Sequence, residues 1–137
     1  MSLTLLIAAL AAAQAPDTST PTLEVGQANW SQFDRLGTRL EVPTATMIGA
    51  VQGILRSRAC PRLPQRTDRF DFTVNYAVRF DANNRAERIV VQEMGCRPLE
   101  ELVSGIVRDM IRYRMVDVPS TGAARWYGNA INFNLAS

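Results

Sequence analysis

The chain of 137 residues contains no histidine and no lysine, so its fifteen basic residues are all arginine. Without histidine, the sequence excludes Ser/His and Cys/His nucleophile pairs, histidine metal sites and a histidine pH switch. The two cysteines, Cys60 and Cys96, lie too far apart for a C-x-x-C redox motif and lack partners for a zinc site. We therefore predict a protein that is not an enzyme, with no catalytic residues, no metal and no cofactor.

An excess of charge of one sign is also missing. Thirteen acidic residues oppose the fifteen arginines, and the net charge is only +2. This balance argues against a nucleic-acid partner, which usually requires a strongly basic surface. Apolar residues make up 47% of the chain and charged residues 20%, which is typical of a globular protein with one hydrophobic core.

The apolar run Leu3–Ala13 is shorter than the roughly 20 residues that a membrane-spanning helix needs. It ends in small residues with an A-x-A-like spacing and is followed by a polar stretch, which is typical of a secretory signal peptide. We predict a signal peptide over 1–15, cleaved after about residue 13 or 15. A buried N-terminal helix or strand is the alternative interpretation.

Export changes the expected chemistry of the two cysteines. In an oxidising periplasm, Cys60 and Cys96 predict a disulfide bond, whereas two buried free thiols would be the alternative. Residues 16–29 are rich in Pro, Thr, Ser and Gly and predict a flexible leader. Residues 30–137 contain no internal linker and predict a single domain in the periplasm.

Two apolar stripes predict helices. Thr44 or Thr46 can cap a helix that runs to about Arg58, with apolar residues on one face. Pro98 suits the first position of a second helix, which extends to about residue 115 and has acidic residues in its first turn and basic residues in its last.

Alternating patterns predict three strands. Phe70 to Phe80 alternate apolar and polar residues strictly, which indicates a strand with one buried face. The Asn-containing turn 81–85 leads into a second strand around Val90, and residues 125–135 form a third. A right-handed crossover places the first strand in the middle. The predicted fold is α+β, with two helices on one face of a three-stranded antiparallel or mixed sheet.

A cluster of five arginines occupies the segment between the first helix and the first strand. Its members are Arg56, Arg58, Arg62, Arg66 and Arg69. Such a cluster can contact an anionic membrane surface or an acidic protein segment. A solvated loop that contacts nothing is the simpler interpretation, because no aromatic residue interleaves the run.

Short motifs in these elements resemble the C-terminal domain of TonB-type energy transducers. The resemblance covers roughly residues 43–136 and rests on the turn and strand 78–91, the helix end Ile111-Arg112-Tyr113 and the last strand Ile131-Asn132-Phe133-Asn134-Leu135. Members of that family bind an extended segment of outer-membrane receptors in the periplasm, by adding a strand beside their last strand.

The resemblance implies a binding edge over residues 126–135 of this chain, where main-chain groups supply most of the affinity. The partner-binding residues that it implies are Tyr127, Asn129, Ala130, Asn132 and Asn134. An edge that is blunted and binds nothing is one alternative. A non-enzymatic structural protein of the envelope, which contacts anionic surfaces through the arginine cluster, is the other.

Overall fold

The structure is a computed structural model that describes residues 20–118 and 122–136. The predicted signal peptide lies outside the described residues. The helices are α1 (Ala45–Arg56) and α2 (Arg97–Arg112), and Trp30–Gln32 forms a short 3-10 helix. The strands are β1 (Thr22–Gly26), β2 (Asp34–Arg35), β3 (Gly37–Thr38), β4 (Phe70–Phe80), β5 (Ala86–Gln92), β6 (Val116–Asp117) and β7 (Arg125–Leu135). Neither described helix has the length and apolar character required to cross a membrane.

The main sheet has five strands in the order β1-β5-β4-β7-β2, and β3 pairs with β6 in a separate ribbon. The predicted α+β class and the central position of β4 are confirmed. The predicted number of three strands is wrong, because β1 adds to β5 and β2 adds to β7, both in parallel. The three strands in the middle pair in antiparallel fashion, as predicted.

Strand β1 lies in the interval 16–29, where we expected a flexible leader. Leu23 and Val25 alternate with polar residues, and the strand aligns with β5 from Arg88 to Gln92. A five-residue alternation surrounded by turn-forming residues is a weak signal, since strands of this length gain stability mainly from the neighbour with which they pair. Residues 22–26 therefore belong to the sheet, whereas the sequence predicts that the domain begins at residue 30.

Helix α1 begins where its capping residue predicts, whereas α2 begins at Arg97, one residue before the predicted Pro98. The Thr44 hydroxyl accepts a hydrogen bond from the Met47 N–H at 3.3 Å, which caps α1. Helix α1 ends at Arg56, two residues before the predicted Arg58. Arg58 has a φ of 59°, a left-handed conformation that is incompatible with a right-handed helix. Helix α2 has Pro98 in its first turn, where a missing N–H costs nothing.

The core lies between the helices and one face of the sheet. Side chains from α1, such as Val51, and from α2, such as Val103, meet the apolar side of the alternating strands. The fully buried side chains with the largest volumes are Tyr76, Phe80, Phe133, Leu36, Ile89, Leu99 and Ile131. Burial of this apolar surface is the main favourable contribution to folding.

A disulfide bond links Cys60 to Cys96, and the predicted bridge is confirmed. Both residues are buried, and their Cα atoms are 4.9 Å apart. The bridge ties the loop after α1 to the residue that precedes α2, so the β4–β5 hairpin lies inside the closed loop.

The turn of that hairpin is built by one aspartate. Oδ1 of Asp81 accepts hydrogen bonds from the N–H groups of Asn83 and Arg85, at 2.8 and 2.9 Å. Asn84 has a φ of 62°, a conformation that asparagine tolerates better than most residues. The hairpin that the sequence predicts at this position is confirmed.

Candidate binding edge

Strand β7 has two long sides, and they differ. One side pairs with β4 along its whole length, from Arg125 opposite Phe80 to Leu135 opposite Phe70. The other side pairs with β2 only at Tyr127 and Gly128. Within the described residues, no strand continues beside β7 beyond Gly128, so only the second half of the predicted edge 126–135 is open.

The direction of the main-chain groups follows from one hydrogen bond. The Gly128 C=O accepts from the Leu36 N–H at 2.9 Å, so Gly128 directs its main chain away from β4. Because these directions alternate along a strand, Ala130, Asn132 and Asn134 share this direction. Their main-chain groups line the open part of the edge, which we call the β7 free edge (130–135).

Asn129 lies between the half of β7 that β2 covers and the half that is open. Its side-chain Nδ2 donates to the Leu36 C=O at 2.7 Å, and its Oδ1 accepts from the Ala130 N–H at 2.8 Å. Ala130 therefore retains only its C=O for a partner. The sequence did not indicate this cap, because Leu36 and Asn129 are 93 residues apart.

The other candidate side chains take three different positions. Tyr127 is buried in the core and packs edge-on against Phe80, so its ring is not accessible at the edge. Asn132 is exposed, and its Nδ2 donates to Asp71 Oδ1 and to Thr73 Oγ1, both at 2.9 Å. Asn134 is exposed and extends the same polar row.

An aromatic strap covers part of the sheet face opposite the helices. Phe33 packs directly on Gly128, where an added Cβ atom would lie 3.0 Å from Phe33 Cβ and 3.2 Å from the Tyr76 C=O oxygen. The ring centroids of Phe33 and Trp126 are 5.9 Å apart, and Trp30 continues the row at 6.2 Å from Phe33. The chain before β2 is thereby fastened to β7.

Arg88 extends this strap towards β1. Its guanidinium lies over the Trp126 ring, 5.1 Å from the centroid, and donates to both carboxylate oxygens of Glu24 at 2.7 and 2.9 Å. These hydrogen bonds hold the pKa of Glu24 below its usual value, with the positive charge of Arg88 adding to the effect. Three strands of the sheet are thus connected on its open face.

The five residues of the arginine cluster are all exposed. Arg66 forms a bidentate pair with Asp68, at 2.9 and 3.1 Å, while Arg62 lies against Gly95. Arg56 and Arg58 line a shallow groove of about 410 Å³ together with Gln65 and Thr67. The structure brings Arg56 and Arg58 together, and one other member of the cluster is neutralised.

Comparisons with protein-family models, curated proteins and solved structures find no match to this chain. In residues 20–118 and 122–136, no group of three or more His, Cys, Asp and Glu side chains is arranged to hold a metal ion. What the geometry offers is an open strand edge, and its chemistry is main-chain hydrogen bonding.

Proposed function

We propose that the protein is a periplasmic interaction domain, similar to the C-terminal domain of TonB-type transducers, that binds an extended segment of an outer-membrane transport receptor. The single observation that carries this proposal is the β7 free edge (130–135). Asn132 and Asn134 there direct N–H and C=O groups away from β4, and these groups have no partner among the described residues. An extended peptide satisfies such groups by adding a strand.

The covered half of β7 supports the same mode of binding. β2 lies parallel to Tyr127 and Gly128, and Leu36, directly after β2, donates its N–H to the Gly128 C=O as a residue of an added strand would. The chain itself thus occupies the first part of the site, and a peptide would continue where β2 ends. A bound segment is accordingly short, with its main chain opposite Asn132 and Asn134.

A photo-crosslinking residue in place of Asn134, introduced in the native host, tests this proposal. We expect a covalent adduct with an outer-membrane receptor, identified by mass spectrometry. A second substitution, Asn132→Pro, should abolish the adduct because proline lacks the outward N–H, while the pairing with β4 is retained.

Asn132→Ala is the matched control, since it removes the same side-chain hydrogen bonds to Asp71 and Thr73 but retains the main-chain N–H. It should crosslink like the parent. An adduct that forms equally with Asn132→Pro, in a variant whose circular dichroism is unchanged, would contradict strand addition at this edge.

A second function has a specific observation in its favour. Arg56, Arg58, Arg62 and Arg69 are exposed and form no salt bridge with a carboxylate in the described part of the chain. They can contact an anionic surface, as in a structural protein of the envelope. Flotation with vesicles that contain phosphatidylglycerol tests it: association at low salt should disappear at high salt, and the absence of association at low salt would reject this function.

A further inference from the structure

The opposite edge of the sheet is formed by β1, which pairs only with β5 in the described residues. Its two apolar side chains are unusually accessible, with Leu23 42% and Val25 48% exposed. Exposed edges of this kind pair with other strands unless charged residues, proline or a covering segment blunts them. No described segment covers the outer side of β1; its one charged residue, Glu24, is paired with Arg88, and Pro21 lies just before the strand.

The main-chain direction in β1 follows from its last residue. The Gly26 C=O accepts from the Glu93 N–H at 2.9 Å, so Gly26 faces β5. By alternation Glu24 also faces β5, whereas Leu23 and Val25 direct their N–H and C=O groups outward. These outward groups have no partner among the described residues.

We propose that β1 is a self-association site, at which a second copy of this chain pairs antiparallel about a two-fold axis centred on Glu24. Leu23 then lies opposite the partner's Val25, and each donates an N–H to the other's C=O. The symmetry repeats this exchange for Val25 and the partner's Leu23. Every outward group of both strands finds a partner, and two five-stranded sheets become one continuous sheet.

The register is determined by the residues on either side of β1. An axis through Leu23 would place Val25 opposite the partner's Pro21, which has no N–H to donate. An axis through Val25 would place Leu23 opposite the partner's Gln27, which lies beyond the end of the strand. Only the axis at Glu24 uses the described strand completely.

The side chains complement each other in the same register. Leu23 and Val25 lie on the helix-covered side of the sheet, beside a groove of about 350 Å³ between β1 and α2. Opposing residues of paired strands extend to the same face, so Leu23 meets the partner's Val25 and both lose exposed apolar surface. The four helices of the pair lie on one side of the joined sheet.

The charges are compatible with this arrangement. Glu24 lies opposite the partner's Glu24, and two bare carboxylates would repel each other. Each carboxylate, however, accepts two hydrogen bonds from its own Arg88. The interface therefore brings together two neutralised ion pairs, and the repulsion between the carboxylates is small. A closed two-fold dimer is also the commonest symmetric assembly of soluble proteins.

Sedimentation equilibrium of the full chain tests the proposal. The contact is small, so we expect a reversible dimer with a dissociation constant on the order of 10 to 100 µM. Val25→Pro removes one outward N–H without removing a bond to β5 and should raise this constant by at least about tenfold. Val25→Ile, which retains the N–H and the apolar branch, should leave it unchanged.

The test separates this proposal from the one for β7. Asn132→Pro, which alters the opposite edge, should not change the dimer, and Val25→Pro should not change crosslinking of a receptor at Asn134. A chain that remains monomeric at millimolar concentration, or a dimer that Asn132→Pro disrupts and Val25→Pro does not, would overturn self-association through β1.

A disulfide crosslink tests the register itself. Glu24 and the partner's Glu24 form a pair without direct main-chain hydrogen bonds, where side chains of opposite strands come closest. Glu24→Cys should therefore form a covalent dimer on mild oxidation. Thr22→Cys lies on the same face but opposite the partner's Gly26, so it should not. Equal crosslinking by both variants would reject the two-fold axis at Glu24, even if a dimer forms.

Discussion

The two faces of the main sheet hold their side chains by different means. On the face covered by α1 and α2, nearly every side chain is apolar and buried, and Phe133 and Val74 are completely inaccessible. On the opposite face, Phe33, Trp126 and Arg88 form a half-buried row held by ring contacts and an ion pair. One face is stabilised by the volume it fills, and the other by a few specific contacts.

The two faces therefore have different roles: one stabilises the fold, and the other connects the N-terminal segment to β7. Burial on the helix-covered face makes the larger contribution to the free energy of unfolding, because apolar area removed from water dominates folding. The opposite face contributes less but links the N-terminal segment to β7, through the contact of Phe33 with Gly128. Substitutions on the two faces should accordingly produce different kinds of defect.

The largest expected effect comes from truncating a phenylalanine on each face. Phe133→Ala should lower the free energy of unfolding by about 3–5 kcal/mol, because it leaves a cavity in the core. Phe33→Ala, which removes a half-buried ring, should cost about 1–2 kcal/mol. Urea unfolding followed by circular dichroism measures both. Equal losses of unfolding free energy in the two variants would contradict a larger contribution of the helix-covered face to stability.

Gly128→Ala should cost about 2 kcal/mol through overpacking. The added methyl group would lie 3.0 Å from Phe33 Cβ and 3.2 Å from the Tyr76 C=O oxygen, so the strap must move away from β7. Tryptophan fluorescence should change as well, since Trp126 contacts Phe33. In the Phe33→Gly background, which removes the contacting Cβ atom, the cost should become smaller, and an unchanged cost there would assign the strain to the Tyr76 main chain alone.

Alkaline pH should weaken the helix-covered face. Burial raises the pKa of Tyr76 from its ordinary value of 10.0 to about 12. Since the folded state holds this proton more tightly than the unfolded state, the stabilisation is complete below pH 10 and is lost as the pH rises towards 12. At pH 11 the loss should be on the order of 1 kcal/mol.

Urea unfolding at pH 9 and pH 11 measures this loss, and Tyr76→Phe is the control because it has no proton to lose. The variant should show a smaller decrease than the parent over the same interval. An identical decrease in both proteins would show that other groups account for the alkaline sensitivity.

The smallest effect is expected at the buried hydroxyl of Tyr127. Tyr127 is 3% exposed, and its OH has no hydrogen-bond partner among the described residues. Tyr127→Phe should therefore change the free energy of unfolding by less than about 1 kcal/mol and can increase it. A loss of about 2 kcal/mol or more in thermal or urea unfolding would indicate that the hydroxyl is bonded in solution.

Long periodic segments account for what could be predicted from the sequence. The alternation in β4 and the helical stripe of α2 fix both the type and the burial of these elements, because each pattern repeats many times. β1 and β2 were not predicted, since each is short and its conformation depends on the neighbour with which it pairs.

The candidate edge illustrates the same limit. The position of β7 follows from its sequence, but its partial closure does not. That closure depends on Asn129 bonding to Leu36 and on Phe33 fitting over Gly128, contacts between residues distant in the chain. Local patterns contain no information on such pairs.

The Cys60–Cys96 bridge has a consequence for proteolysis. The β4–β5 turn at Asn83 and Asn84 is exposed and lies between the two cysteines, and exposed turns are preferred sites of nicking. A chain cut there remains one covalent molecule, so its two fragments would separate only on a reducing gel. The bridge would keep the helices and both outer strands on a single connected molecule after such a cut.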